Sequence, residues 1–426
     1  MTVSNLALAK QSLSLDYQSL AQILGDRENI LIIQDLDGVC MGLVKDPLTR
    51  VMDLEYIKAV KALGKHFFVL TNGEHIGQRG VNGIIERAVG DKNIVQTQGL
   101  YLQGLAAGGV QWQDCFGNVS HPGVSEAEMA FLAAVPLKVA DFLQQLAQKP
   151  KYGLDRDRLA TYIESTVLDN KVSPTANLNV FHEAFGTQPG LYAEFQQEIK
   201  EFTDRLLQEA QQQGLADSFF VHYAPNLGRD EQGQEIMQPA LGKDSGTTDF
   251  QFMLRGGIKE VGVLVILNHY YYLQTGEYPL GREFNARQAP RKQQDLLKLV
   301  KDNFAPALMP TIVGVGDTVT SKAVEQQGQI QFKRGGSDRG FLELVQALGK
   351  EFDTDNVVIY VDSSGGELKN RQPLILDHSD PQNIKVVKGI GDPRDTEDPL
   401  TLNFVFPAGH EQYIDFFCRM TRYRTG

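Results

Sequence analysis

Basic residues are in short supply. The chain has 41 Lys and Arg against 53 Asp and Glu, a formal net charge of -12 over 426 residues. With no positive surplus to neutralise phosphates over a long footprint, no nucleic-acid partner is expected. A small anionic substrate stays open, because a local metal and a few cations can overrule the global field. Cysteine is scarce as well. Cys40, Cys115 and Cys418 are odd in number, scattered and without Cys-x-x-Cys spacing. That excludes a disulfide framework and structural zinc, and it points to a reducing, cytoplasmic compartment. Cys40 lies beside an acidic pair, and its expected role is a small buried packing residue, not a reactive thiol. The N-terminus lacks an unbroken apolar run. Asn5, Lys10, Gln11, Asp16 and Gln18 interrupt Met1 to Leu24, so neither a signal-peptide core nor a membrane span is expected there, and no membrane partner. Internal repeats, low-complexity segments and long Glu/Lys runs are also missing, and the eight histidines show no ligand spacing.

What is present is a length that exceeds one ordinary core and implies two domains. The most informative stretch is Asn29-Ile30-Leu31-Ile32-Ile33-Gln34-Asp35-Leu36-Asp37-Gly38-Val39. Four aliphatic residues running into acidic residues and a glycine read as a buried parallel strand with a polar C-terminal end. Phe67-Phe68-Val69-Leu70 followed by Thr71-Asn72-Gly73-Glu74-His75 repeats the pattern, as does Thr311-Ile312-Val313-Gly314-Val315-Gly316-Asp317. A further strand is expected at Asn356 to Asp362. In open α/β sheets the ligand crevice lies beyond the carboxyl ends of the strands, which would bring Asp35, Asp37, Thr71 and Asp317 together.

The intervening chain has a different texture. Residues 108–119 suggest a hairpin turning near Gly117. Ser125-Glu126-Ala127-Glu128 is a capping box that opens a helix. Helices are also expected over Asp155 to Leu168, around Leu191 to Leu206, over Thr248 to Leu254 and over Lys259 to Tyr272. Phe219, Val221 and Tyr223 alternate as a strand, with a return through Glu235 to Met237. This mixed block assigns residues 104–240 to an inserted α+β cap, and 1–103 with 241–426 to an α/β core. Residues 379–397 are the most loop-like stretch.

The strand-end residues suit phosphoryl transfer to a carboxylate. Asp35 is the candidate nucleophile, and Asp37 the acid that protonates the leaving alkoxide and then deprotonates water. Mg²⁺ suits the hard oxygen donors of Asp35, the Asp37 backbone carbonyl and Asp317. Thr71 and nearby amides, with Asn72, Gly73 and Glu74 alongside, are candidates to hold the phosphate. Lys243 is the candidate charge-neutralising lysine, with Lys259 or Arg255 as alternatives. No acidic residue stands four positions after Asp317, so hydroxyls and waters, or Asp338, must complete the metal shell.

Asp-x-Asp-Gly at a strand end resembles the first signature of the haloacid-dehalogenase-like (HAD-like) phosphatases. A closer resemblance covers nearly the whole chain. Residues 34–41, 70–75, 220–230, 246–257 and 314–321 resemble the glucosylglycerol 3-phosphate phosphatase family. It implies a Rossmann-like parallel-sheet HAD core with an inserted α+β cap of C2 type. It also implies Mg²⁺-dependent hydrolysis of 2-O-(α-D-glucosyl)-glycerol 3-phosphate to glucosylglycerol, a compatible solute made under salt stress. The substrate partner would be a small sugar-glycerol phosphate, and association with the synthase of the same pathway is admitted. In the cap, His121, His222 and Arg229 are candidates to meet the substrate; for each histidine a satisfied structural role is the alternative. Trp112 would stack on a sugar face or simply pack. Rival readings are a sucrose- or trehalose-phosphate phosphatase and a non-catalytic sugar-phosphate-binding regulator.

Overall fold

The computed structural model describes residues 7–77, 79–155, 157–186, 188–326, 329–368, 371–380 and 384–425. Residues 1–6 of the N-terminal reading and 381–383 of the loop-like stretch lie outside the described residues.

An eight-stranded sheet forms the core, in the order Phe404–Phe406, Val357–Val361, Thr311–Gly316, Ile30–Gln34, Phe67–Leu70, Gly104–Ala106, Gln111–Gln113 and Val119–Ser120. The first six are parallel, and the last two turn back antiparallel. The aliphatic run at Ile30 reflects burial on both faces. Ile30 and Ile32 face one apolar core with Tyr56 and Phe417, whereas Leu31 and Ile33 face the other with Val261 and Phe341. Helices Tyr17–Asp26, Leu54–Leu63 and His410–Thr425 cover the first face, and Lys259–Thr275 and Arg339–Phe352 the second. Strand Ile30–Gln34 therefore lies mid-sheet, flanked by the two strands that carry Thr71 and Asp317 beyond their ends.

A second sheet of four antiparallel strands joins Val167–Leu168, Thr175–Asn177, Asp249–Leu254 and Phe219–Ala224. Its apolar face packs on helices Glu126–Ala147 and Pro189–Gln212 through Phe131, Phe219, Phe252 and Phe195. Phe131 and Phe219 stack at 5.1 Å. The 22-residue helix Glu126–Ala147 is long and apolar enough to cross a membrane by composition alone. Here it opens at the Ser125/Glu128 capping box and buries Phe131, Leu132, Val135 and Leu143 against the second sheet.

Two expectations change. Residues 249–254 form a strand, not a helix, because Phe250, Phe252 and Leu254 alternate into the apolar core while six residue pairs register with Phe219–Ala224. Strands pair across the boundaries expected at 104 and 240: 104–120 belongs to the eight-stranded sheet and 249–254 to the four-stranded one. The helix expected over Asp155 to Leu168 is confined to Leu159–Thr166, with Val167–Leu168 as a cap strand. The hairpin at Gly117 is present. Gly117 has φ +84°, and a Cβ there would meet the Tyr101 ring at 2.7 Å.

Candidate active site

The strand ends supply the floor of a cleft of about 130 Å³. Asp35 is the first residue beyond its strand, and its amide donates to the Val315 carbonyl at 2.9 Å. Its Oδ1 accepts from the Leu36 amide at 2.8 Å, and its Oδ2 lies 2.7 Å from Lys259 Nζ. The chain then turns sharply, with the Gly38 amide donating to Met41 O at 2.8 Å. A Cβ on Gly38 would stand 2.2 Å from Asp317 Oδ2, so only glycine lets the two segments approach so closely. Asp37 forms an ion pair with Arg50, Nε to Oδ1 at 2.9 Å, outside hydrogen-bond alignment. Thr71 Oγ1 accepts from the Gly73 amide at 3.2 Å, which shapes the phosphate-side loop.

Asp317 and Thr318 donate their amides to Asp338 Oδ2, both at 2.9 Å. Asp338 Oδ1 in turn accepts from Lys259 Nζ at 2.6 Å. Ligand atoms of Asp35, Asp317 and Asp338 all lie within 4.8 Å of one another, and all three residues are buried. Such crowding has electrostatic consequences. Burial raises the Asp35 carboxyl well above the usual range, with Lys259 opposing and Asp338 and Asp317 adding to the rise. Burial likewise pushes Asp317 up to about 6, against the pull of Arg371. Burial would also raise Asp338, yet Lys259 and the two amides outweigh it and hold Asp338 below the usual range. The floor therefore sets three carboxylates around one lysine, which leaves Asp35 and Asp317 raised, the condition a cation relieves.

The donor set fits a hard divalent cation. It is all oxygen, and among the described residues Asp317 Oδ2 is buried without a hydrogen-bond partner, with Arg371 Nε at 3.7 Å. Asp338 enters this cluster, yet both its oxygens are engaged by Lys259 and backbone amides.

Lys243 is not brought to the site. It is exposed in the turn closed by Leu241 and Asp244, and Lys259, 2% exposed, occupies the position beside Asp35. Lys259 opens a helix, where the macrodipole disfavours a cation. That misfit was a legible sign that carboxylates hold it. Asp338 sits at a helix N-cap without capping it, a second sign that its side chain is needed elsewhere. Arg50, Arg371 and Asp249 also line the cleft and carry no motif that sequence reading could have used.

The remaining candidates divide. Asn72 lines the cleft, and its Nδ2 lies 2.8 Å from His222 Nε2. His222 Nδ1 reaches the Glu235 carboxylate at 2.9 Å, and Arg229 pairs with Glu260 at 3.3 Å. Burial raises Glu235, but His222, Arg229 and the Tyr223 amide together hold it below the usual range. These cap residues line a neighbouring cavity of about 150 Å³ that shares Asn72 and Lys259 with the cleft. Glu74 is buried and already engaged. Its carboxylate accepts the amides of Lys171, Val172 and Ser173 at 3.0, 2.7 and 2.9 Å, so it ties core to cap. His121 lies behind it, 3.1 Å from Gln111 Nε2. Trp112 packs edge-on to His269 at 4.8 Å. Cys40 is buried and its thiol is pushed up by burial, which fits a packing residue.

A sequence profile described as glucosylglycerol-phosphate phosphatase matches residues 29–421. A glucosylglycerol-phosphate phosphatase of Synechocystis sp. is 56% identical over 412 residues, 97% of each chain. Among solved structures, the C. albicans trehalose-6-phosphate phosphatase C-terminal domain aligns with 96% of this chain and 99% of its own, at 12% identity and TM-score 0.45. The Aspergillus fumigatus trehalose-6-phosphate phosphatase has the same coverage, at 10% identity and TM-score 0.37. The profile begins at the strand that delivers Asp35 and ends inside the last helix, and with a relative of that identity and reach this chain belongs to the glucosylglycerol-phosphate phosphatase family.

Proposed function

We propose that this chain hydrolyses 2-O-(α-D-glucosyl)-glycerol 3-phosphate to glucosylglycerol and phosphate, with Asp35 as the nucleophile. A carboxylate oxygen of Asp35 attacks phosphorus and the bond to the glycerol oxygen breaks, while Asp37 gives that oxygen its proton. Asp37 then takes a proton from water as the water attacks the aspartyl-phosphate, which frees phosphate and restores Asp35. Lys259 offsets the charge gathered around Asp35. The Thr71 hydroxyl and the amides after it orient the phosphate oxygens. Arg50 fixes Asp37 at the mouth of the cleft. Asp35, Asp317 and the Asp37 carbonyl would hold Mg²⁺, whose charge lets a carboxylate approach a phosphate dianion.

The observation that carries this reading is the buried Asp35–Lys259–Asp338 chain of contacts at 2.7 and 2.6 Å, at the foot of a cleft roofed by a second sheet. Its test is phosphate release from glucosylglycerol 3-phosphate, sucrose 6-phosphate and trehalose 6-phosphate, with and without Mg²⁺. The glycerol ester should be turned over fastest, and only with the metal. Faster turnover of a disaccharide phosphate would transfer the assignment to that ester, and binding without turnover of any ester would mark a sugar-phosphate sensor.

A further inference from the structure

The roof of the cleft has its own chemistry. Strands Thr175–Asn177 and Asp249–Leu254 pair antiparallel, with Asn177 opposite Asp249 and Thr175 opposite Gln251. Residues two apart in a strand share a face, so these four side chains project together over the floor aspartates and line the cleft. Ala176, Phe250 and Phe252 project from the opposite face into the apolar core. An antiparallel sheet of this kind ordinarily turns its polar face to water. Here it is turned inward, and Thr175 and Asn177 are only 2% and 7% exposed.

Its hydrogen bonding is incomplete. Asp249 Oδ1 accepts from Asn177 Nδ2 at 2.7 Å, and Oδ2 has the Thr248 hydroxyl at 3.3 Å. Gln251 Oε1 and Asn179 Nδ2, both lining the cleft, are buried without a hydrogen-bond partner among the described residues. Buried polar groups left unpaired call for a polar occupant. The sheet face offers an acceptor at Gln251 and an anionic acceptor at Asp249, and Asn179, at the start of the helix that follows the Thr175–Asn177 strand, offers a donor. Hydroxyl groups, each both donor and acceptor, satisfy all three. A second phosphate would be repelled by Asp249, and an apolar group would leave the amides unmet.

We propose that Asp249, Gln251 and Asn179 form the subsite that binds the hydroxyls of a neutral hexose ring, and so set the specificity of the ester hydrolysed at Asp35. This inference rests on the reading given under Proposed function. Its test compares kcat/KM for glucosylglycerol 3-phosphate with that for glycerol 3-phosphate, which lacks the hexose, in the wild type and in Gln251→Ala, Asp249→Asn and Asn179→Ala. The wild type should favour the glycosylated ester. Each variant should lower the ratio of the two kcat/KM values about tenfold or more, and product inhibition by glucosylglycerol should weaken in parallel. Equal losses on both esters, or an unchanged ratio with unchanged product inhibition, would overturn the subsite. Wild-type protein that hydrolyses neither ester would instead overturn the phosphatase reading. Three variants at separate positions keep the test decisive if one fails to give a cooperative melt.

Discussion

The Asp35 carboxyl on the floor and the Gln251 amide oxygen on the roof are both buried, yet the protein treats them differently. On the floor, Lys259 bridges Asp35 and Asp338, and Asp338 also collects two backbone amides. On the roof, Gln251 Oε1 and Asn179 Nδ2 are left unmet. The floor holds Asp35, the proposed nucleophile, and Lys259 in place before any substrate arrives, which is what phosphoryl transfer needs from positioned charges. The roof leaves bonds for a ligand to complete, which is how a site built for hydroxyls rejects compounds that lack them.

The largest break in this contrast is Asp35→Asn, which should lower phosphate release by at least about 10,000-fold while substrate binding, measured by calorimetry, persists. Residual turnover near the wild-type rate would remove the floor from the chemistry. Next come the two lysines. Lys259→Met strands two buried carboxylates and should cost about 3–5 kcal/mol in denaturant unfolding, whereas Lys243→Ala, at an exposed turn, should stay within about 0.5 kcal/mol. Similar values for the pair would return Lys243 to consideration.

A third effect lies beneath the floor. His75 is fully buried and neutral, and burial lowers its pKa from 6.5 to about 4. Below pH 6.5 the unfolded chain therefore takes up a proton that the folded chain refuses. Stability should be level above pH 6.5 and fall by about 3 kcal/mol as pH drops to 4. His75→Gln should remove that part of the slope in unfolding curves taken at pH 7 and pH 5; an identical slope would assign it to other groups. The smallest effect concerns the seam between the regions. Glu74→Gln weakens the grip on the 171–173 amides and should cost about 1–3 kcal/mol. Faster hydrogen exchange at those amides would sharpen the comparison, and unchanged protection would deny the seam its role.

The floor was largely legible in the chain because parallel strands buried on both faces read as aliphatic runs, and each run here ends at a chemical residue. Asp35, Asp37, Thr71 and Asp317 lie where that pattern puts them. The lysine was misplaced because Lys243 and Lys259 both precede the third strand, and only tertiary packing distinguishes an exposed turn from a buried helix start. The roof was illegible for a different reason. Its polar face exists only through the register of Asn177 on Asp249, 72 residues apart, and the short stretch 248–254 reads locally as helix although Phe250, Phe252 and Leu254 alternate. The pairing of Arg50 with Asp37 and the approach of Arg371 to Asp317 likewise depend on loops without periodicity.

The role proposed for the floor requires two successive displacements at phosphorus, the first by Asp35 and the second by water. The stereochemical course of hydrolysis, in oxygen-17 water, of the phosphorothioate analogue of the ester made chiral at phosphorus with oxygen-16 and oxygen-18 reports this directly, because the thiophosphate released is itself chiral. Net retention of configuration is expected, because each displacement inverts once. Net inversion would mean that water attacks the ester in one step, and Asp35 would then not be the nucleophile.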